Sequence, residues 1–105
     1  MLGNFEFSVL SAVYSVEGDV YGVSIKNYID NEFSKSTSYG ALYTTLSRLT
    51  KKGFVESWNG EATSVRGGRS KKLYKITPTG LSALRETSSK MQTLISTGGF
   101  ANVLA

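Results

Sequence analysis

The sequence of 105 residues contains no cysteine and no histidine. Without these two residue types the chain cannot form a disulfide, a thiolate or imidazole metal site, or a Ser-His or Cys-His nucleophilic dyad. The carboxylates, amines and hydroxyls that remain show no arrangement typical of an active site. We therefore expect a binding protein that is not an enzyme and that needs no cofactor or metal.

Long apolar runs are also missing. No stretch approaches the roughly 18 apolar residues that a membrane span needs. The first residues, 1–7, lack a basic region and are interrupted by Glu6, so they do not resemble a secretory signal. We expect one small domain, located in the cytoplasm and not in a membrane.

The charges are distributed unevenly along the chain. The formal net charge is only +4, and residues 1–34 hold one basic residue, Lys26, against five acidic ones. Residues 35–75, in contrast, hold nine basic residues against Glu56 and Glu61. A strongly basic middle is the pattern expected when one face of a protein meets phosphate.

The spacing of apolar residues predicts four helices. The first two span about residues 4–16 and 21–33, the third follows the polar turn 34–38 and ends near Lys52, and the fourth spans about 78–97. Gly53 is expected to end the third helix, and Thr77 to cap the fourth. On the third helix, Leu42, Leu46 and Leu49 form a stripe opposite Gly40, Thr44, Ser47, Arg48 and Lys51, with Tyr43 on its flank.

Two strands are predicted between the third and fourth helices, at residues 54–58 and about 72–76. The polar, glycine-rich loop between them is longer than a tight turn requires, and such loops tend to be functional. The order of elements is that of a winged helix-turn-helix, an α+β fold that is mainly α, with the hairpin as the wing. Residues 1–77 would form the DNA-binding domain, and residues 78–105 a dimerisation helix and tail in the same compact unit.

The exposed side of the third helix is the first candidate site. Hydroxyl-bearing side chains there could meet base edges or phosphates, while basic ones flank the groove. The residues expected to contact DNA from this helix are Ser38, Tyr39, Gly40, Tyr43, Thr44, Ser47, Arg48 and Lys51, with Lys52 beside them. The alternative is an amphipathic helix whose polar side simply faces water.

The wing is the second candidate site. Arg66 and Arg69 flank Gly67 and Gly68, which would let the backbone approach a phosphate while both guanidinium groups reach over the groove edge. Lys71 and Lys72 are expected to contact backbone phosphates. The alternative here is a solvated basic loop.

The fourth helix carries a short heptad-like seam, which predicts a partner helix and hence a homodimer. The seam residues are Leu81, Leu84, Ser88, Met91 and Ile95. Packing on their own domain is the alternative. The apolar tail, 100–105, could dock on the dimer or fray.

The aromatic residues outside these sites are expected to be structural. Trp58 and Tyr74 would pack in the hairpin instead of contacting a ligand, and Tyr14, Tyr21 and Tyr28 would lie between helices with their hydroxyl groups at the surface.

Several segments together resemble the PadR-like family of bacterial transcription regulators. They are residues 3–10, 18–23, 40–49, 52–55, 66–69 and 74–80, and the resemblance covers residues 3–85. It implies a homodimeric winged-helix repressor that binds a roughly palindromic operator in duplex DNA, with the C-terminal helix as the dimerisation element.

The region after the wing departs from part of that family. With one predicted C-terminal helix, the sequence resembles the short branch, and this resemblance implies that we should not expect the larger C-terminal region of the branch that responds to phenolic acids. Some short relatives bind flat hydrophobic compounds at the dimer interface, so a small hydrophobic effector stays open, although no residue points to one. The alternative function is a winged-helix module that binds protein or structured RNA without a specific operator.

Overall fold

A computed structural model describes residues 2–60 and 71–98. Its elements, in chain order, are α1 (Asn4–Ser15), α2 (Gly22–Glu32), α3 (Tyr39–Lys51), β1 (Val55–Asn59), β2 (Lys72–Ile76) and α4 (Pro78–Ser96). All six predicted elements are confirmed, and no predicted boundary differs from the observed one by more than one residue. The predicted loop residues Arg66, Gly67, Gly68 and Arg69 and the tail 100–105 lie outside the described residues.

The two strands form an antiparallel hairpin. Val55 pairs with Ile76, and Ser57 pairs with Tyr74. The backbone N–H of Tyr74 also donates to the carbonyl of Val20, at 2.9 Å, which ties the hairpin to the connection between α1 and α2. The fold is therefore the predicted mainly helical winged helix-turn-helix.

One hydrophobic core joins these elements. The predicted leucine stripe of α3 is confirmed, because Leu42, Leu46 and Leu49 are all buried. They meet apolar residues from every other element, and the remaining core members are Leu2, Val9, Leu10, Ala12, Val13, Ile25, Ile29, Val55, Tyr74 and Leu84. Burying the stripe fixes the rotation of α3, so its opposite side faces outward.

The turn between α2 and α3 is fixed by short polar side chains. Ser34 follows α2 with a φ of 50°, in the left-handed region that reverses the chain. Asp30 accepts a hydrogen bond from the Thr37 N–H at 2.8 Å, and Ser38 caps α3 by accepting from the Ala41 N–H at 3.1 Å. These contacts set where α3 begins.

The start of α4 is attached to the turn before β1. The Thr77 hydroxyl accepts from the Gly80 N–H at 2.9 Å and donates to the Gly53 carbonyl at 2.6 Å. Gly53 has a φ of 77°, as expected for the glycine that ends α3. Gly80 lies so close to the Phe54 carbonyl that a Cβ built on it would be 2.0 Å from the oxygen.

The N-terminal residues contact α4 in a way that the sequence pattern did not predict. The backbone N–H of Leu2 donates to the Thr87 hydroxyl at 3.1 Å, and both residues are buried. A buried threonine inside α4 gives no local signal, because its partner comes from the other end of the chain.

The expectation for Tyr14 is wrong. It was predicted to lie between helices, yet 56% of its surface is exposed. Tyr21 and Tyr28 are half-buried, in keeping with the prediction. In the hairpin, Tyr74 is buried, whereas Trp58 pairs with Leu73 and still leaves much of its ring exposed.

Candidate nucleic-acid interface

The outward side of α3 presents the residues of this helix that were predicted to contact DNA. We call this set the outer face of α3. Its members are all exposed, and they are Tyr39, Gly40, Tyr43, Thr44, Ser47, Arg48 and Lys51. Ser38, also exposed, precedes them as the N-cap. The predicted arrangement opposite the leucine stripe is confirmed, while contact with DNA stays a prediction.

Two aromatic rings dominate the N-terminal part of this face. Tyr39 and Tyr43 lie one helical turn apart and stack, with ring centroids 6.1 Å apart and planes inclined by 21°. They are 42% and 47% exposed, respectively. Both rings therefore offer apolar surface to an incoming partner.

The ring of Tyr39 is backed by charged residues of α2. The Lys26 ammonium lies 5.8 Å from the ring centroid and forms a salt bridge with Asp30. The hydrogen bond from Lys26, and then that from the Thr37 N–H, hold the pKa of Asp30 below its usual value. Asp30 therefore stays ionised at neutral pH and links α2 both to the turn and, through Lys26, to the outer face.

A depression of about 380 Å³ separates α3 from the hairpin. Lys51 and Lys72 contribute cationic groups to its lining, beside Tyr43, Ser47 and Tyr74. Burial, and to a smaller extent the neighbouring phenol of Tyr43, raise the pKa of the Tyr74 hydroxyl, which stays neutral. The depression thus combines two lysines with hydroxyl-bearing side chains.

Lys71 and Lys72 were both expected to contact phosphate, but their side chains lie in different surroundings. The Lys71 ammonium lies 4.3 Å from the ring centroid of Tyr21 and 3.7 Å from an Asp19 carboxylate oxygen, so it faces the connection between α1 and α2. Lys72 is exposed and lines the depression beside α3. Of the two, Lys72 is the one placed next to the outer face.

Lys52, expected beside the groove, forms an ion pair with α1. Its ammonium lies 2.7 Å from a carboxylate oxygen of Glu6 on α1. That hydrogen bond is the main reason why the pKa of Glu6 is lowered. The interaction could not be predicted, because the two residues are far apart in the sequence.

The seam residues of α4 divide into two groups. Leu84 is buried in the core of its own domain, as the alternative interpretation of the seam expects. Leu81 and Met91 are half-buried, Ser88 is exposed, and Ile95 is 62% exposed. Tyr14 lies at the same surface, where it lines a shallow depression with Leu81 and Leu84.

Helix, turn, exposed helix and hairpin in this order define the winged helix-turn-helix class of proteins. None of the helices within residues 2–60 and 71–98 combines the length and the apolar composition that a membrane span requires. The sequence model described as the transcriptional regulator PadR-like family matches residues 9–86. The chain therefore belongs to the PadR-like family, which is a family of transcriptional regulators and not of enzymes, and the resemblance inferred from the sequence is confirmed.

Solved structures agree with this assignment. A PadR family transcription regulator from Clostridium difficile R20291 superposes with a TM-score of 0.78 at 21% identity, covering 98% of this chain and 100% of that one. A PadR-like transcriptional regulator from Bacillus cereus gives a TM-score of 0.72 at 26% identity, covering 96% and 91%.

A third solved structure contains DNA. PadR of Bacillus subtilis, in complex with operator DNA, gives a TM-score of 0.65 at 22% identity, covering 79% of this chain and 45% of that one. At this identity the likeness shows a shared fold. A search of curated proteins gave no match.

Proposed function

We propose that this protein is a PadR-like transcriptional repressor that binds a roughly palindromic operator in duplex DNA as a homodimer, through the outer face of α3 and the wing. The observation that carries the proposal is the exposure of that face. The burial of the leucine stripe leaves seven outward residues free for a partner.

The chemistry of the face suits the major groove. In helix-turn-helix proteins the N-terminal residues of the second helix of the motif contact base edges. Here that part of α3 carries small, aromatic and hydroxyl-bearing side chains, whereas Arg48 and Lys51 follow toward its C-terminal end. The two cations are suited to phosphates at the groove edge.

The wing would extend the contact along the duplex. Lys72, at the start of β2, lines the depression next to α3. The sugar–phosphate backbone of one DNA strand could therefore pass from the helix to the hairpin. Arg66, Gly67, Gly68 and Arg69, which lie outside the described residues, fall between β1 and β2 in the sequence. The operator complex of Bacillus subtilis PadR supports duplex DNA as the partner.

The C-terminal part of α4 is proposed as the dimer contact. Its first half is held in its own domain by Gly80, Leu84 and Thr87, all buried, whereas Ile95 further along is an exposed apolar side chain. We propose that residues 1–77 supply the DNA-binding domain and residues 78–105 the dimer contact. A two-fold symmetric dimer would present two copies of α3, which explains a palindromic operator.

A salt titration with matched lysine variants tests the DNA surface. We expect the affinity of the full chain for duplex DNA to fall steeply with salt, and Lys51→Ala to lower the slope of log K against log salt by about 0.9. Lys90→Ala removes the same charge from α4, where Lys90 pairs with Glu86 at 3.0 Å, and should leave the slope unchanged. Equal effects of the two substitutions would contradict the assignment of the surface.

Two further measurements test the wing and the dimer. Arg66→Ala with Arg69→Ala should weaken duplex binding, and full affinity in this double variant would exclude a contact between the wing and DNA.

Sedimentation should give a dimer mass for the wild type, and Ile95→Asp should shift the mass toward that of the monomer. A protein that binds a structured RNA or a protein partner and shows no preference for duplex DNA would support the alternative function instead.

A further inference from the structure

The first nine residues of α3, Tyr39 to Ser47, contain no arginine, lysine, asparagine, glutamine, aspartate or glutamate. These six types are the ones that make the strongest contacts to base edges. Arginine and lysine bind guanine, asparagine and glutamine bind adenine, and acidic side chains accept from cytosine. The part of the helix that would lie deepest in the groove therefore has none of the side chains suited to those contacts.

Apolar surface is what this part of α3 offers instead. The exposed residues are Tyr39 and Tyr43, whose rings stack, together with Gly40, Ala41, Thr44 and Ser47. A Cβ built on Gly40 would have no atom within 4 Å, so the helix backbone is open to close approach there. The only apolar group on the major-groove edges of the four bases is the C5-methyl group of thymine.

The two rings are also held in place before a partner arrives. Tyr39 stacks on Tyr43 and has the Lys26 ammonium 5.8 Å from its centroid. The hydroxyl end of Tyr43 lies against the backbone of Gly22. Side chains that are already positioned lose less conformational freedom on binding.

From these observations we infer that the N-terminal half of the outer face of α3 recognises thymine methyl groups, through Tyr39, Tyr43 and Thr44. Each operator half-site then carries A·T pairs beneath the first two turns of α3. The inference rests on the proposed function, since it assumes that this face enters the major groove.

Removing single methyl groups from the DNA tests the inference. Sites are first selected from a random duplex library with the full chain and then resynthesised with deoxyuridine in place of individual thymidines, which removes only the methyl group. We expect a loss of about three- to fivefold in affinity for each thymine methyl that α3 contacts, the value of one buried methyl group. The same replacement in the flanking sequence is the control and should change nothing.

Two variants of Thr44 connect the effect to the protein. Thr44→Ser removes the methyl group of the side chain and keeps the hydroxyl group. In this variant, replacing thymidine with deoxyuridine should no longer lower the affinity at one base position. Thr44→Val keeps a methyl group, so the same replacement should still lower the affinity there. Because Thr44 is exposed, both variants should fold.

The outcomes distinguish this inference from the proposed function. Selected sites that tolerate deoxyuridine at every half-site position, or that carry only G·C pairs there, would overturn thymine recognition while leaving the operator-binding regulator intact. Failure to bind duplex DNA at all would overturn both. Binding without any selected sequence would also overturn thymine recognition.

Discussion

The hydroxyl oxygen of Tyr43 on α3 lies so close to Gly22, at the start of α2, that a Cβ built on Gly22 would be 2.1 Å from it. The neighbouring ring carbon of Tyr43 would be 2.8 Å away. The ring therefore occupies the space that any other residue at position 22 would fill. This contact connects the packing of α2 to the position of a side chain on the outer face of α3.

Gly22→Ala should force the ring of Tyr43 outward. We expect a loss of about 1 kcal/mol in the free energy of unfolding, the lower end of the range for overpacking, because the half-exposed ring can move. In a Tyr43→Ala background the same substitution should be neutral or stabilising, since alanine is the better helix former. Urea denaturation of the wild type, the two single variants and the double variant gives the coupling free energy between positions 22 and 43. An equal effect of Gly22→Ala in both backgrounds would contradict the contact.

Gly80→Ala should be far more damaging, because the added Cβ meets backbone and not a movable side chain. It would lie 2.0 Å from the Phe54 carbonyl oxygen, which also accepts from the Thr77 N–H at 3.0 Å. We expect a loss of about 3 kcal/mol, at the upper end for an overpacked site. Gly40→Ala on α3 is the matched control, since it enters open space and should stabilise the fold by about 0.5–1 kcal/mol. Similar melting temperatures for the two variants would exclude this account of Gly80.

Thr77→Ala removes two hydrogen bonds at once, the cap on Gly80 and the bond to the Gly53 carbonyl. Loss of a cap of this kind costs about 1–2 kcal/mol of stability. Thr77→Ser keeps the hydroxyl group and should restore most of the stability. If serine and alanine at this position were equally destabilising, packing of the threonine methyl group would be the cause instead.

Glu6→Gln should lower stability in a pH-dependent way. Hydrogen bonding to Lys52 lowers the pKa of Glu6 from a usual value of 4.5, so the ionised form is favoured in the folded state. The ion pair therefore contributes fully to the free energy of unfolding above the usual pKa of Glu6. This contribution disappears as the pH falls through the lowered pKa. Near neutral pH we expect a difference of about 0.5 kcal/mol between wild type and variant, as for other partly exposed pairs. A difference that persists in acid would show that the ion pair is not its source.

The elements of this fold could be predicted because their signals are local. The leucine stripe gives the rotation of α3, and Ser38 and Thr77 mark the starts of α3 and α4 by capping nearby N–H groups. The exposure of the outer face follows directly from that rotation. These features depend only on residues a few positions apart.

The features that were missed depend on contacts between distant segments. The bond from Leu2 to Thr87 joins residues 85 positions apart, and the pair of Lys52 with Glu6 joins residues 46 positions apart. The exposure of Tyr14 has the same origin, because its position in α1 indicated helix but not which neighbour would cover it. The packing of α4 on α1 determines which residues of α1 are covered, and no local sequence pattern predicts that packing.

Placing one negative charge on the outer face of α3 tests the central claim most directly. Ser47 is exposed there, and Ser82 is an exposed serine on α4, so Ser47→Glu and Ser82→Glu add the same charge at two sites. Binding to duplex DNA is measured by fluorescence anisotropy for both variants and the wild type. We expect Ser47→Glu to abolish measurable binding while Ser82→Glu retains wild-type affinity. Wild-type affinity in Ser47→Glu would contradict the assignment of α3 as the DNA-contacting helix.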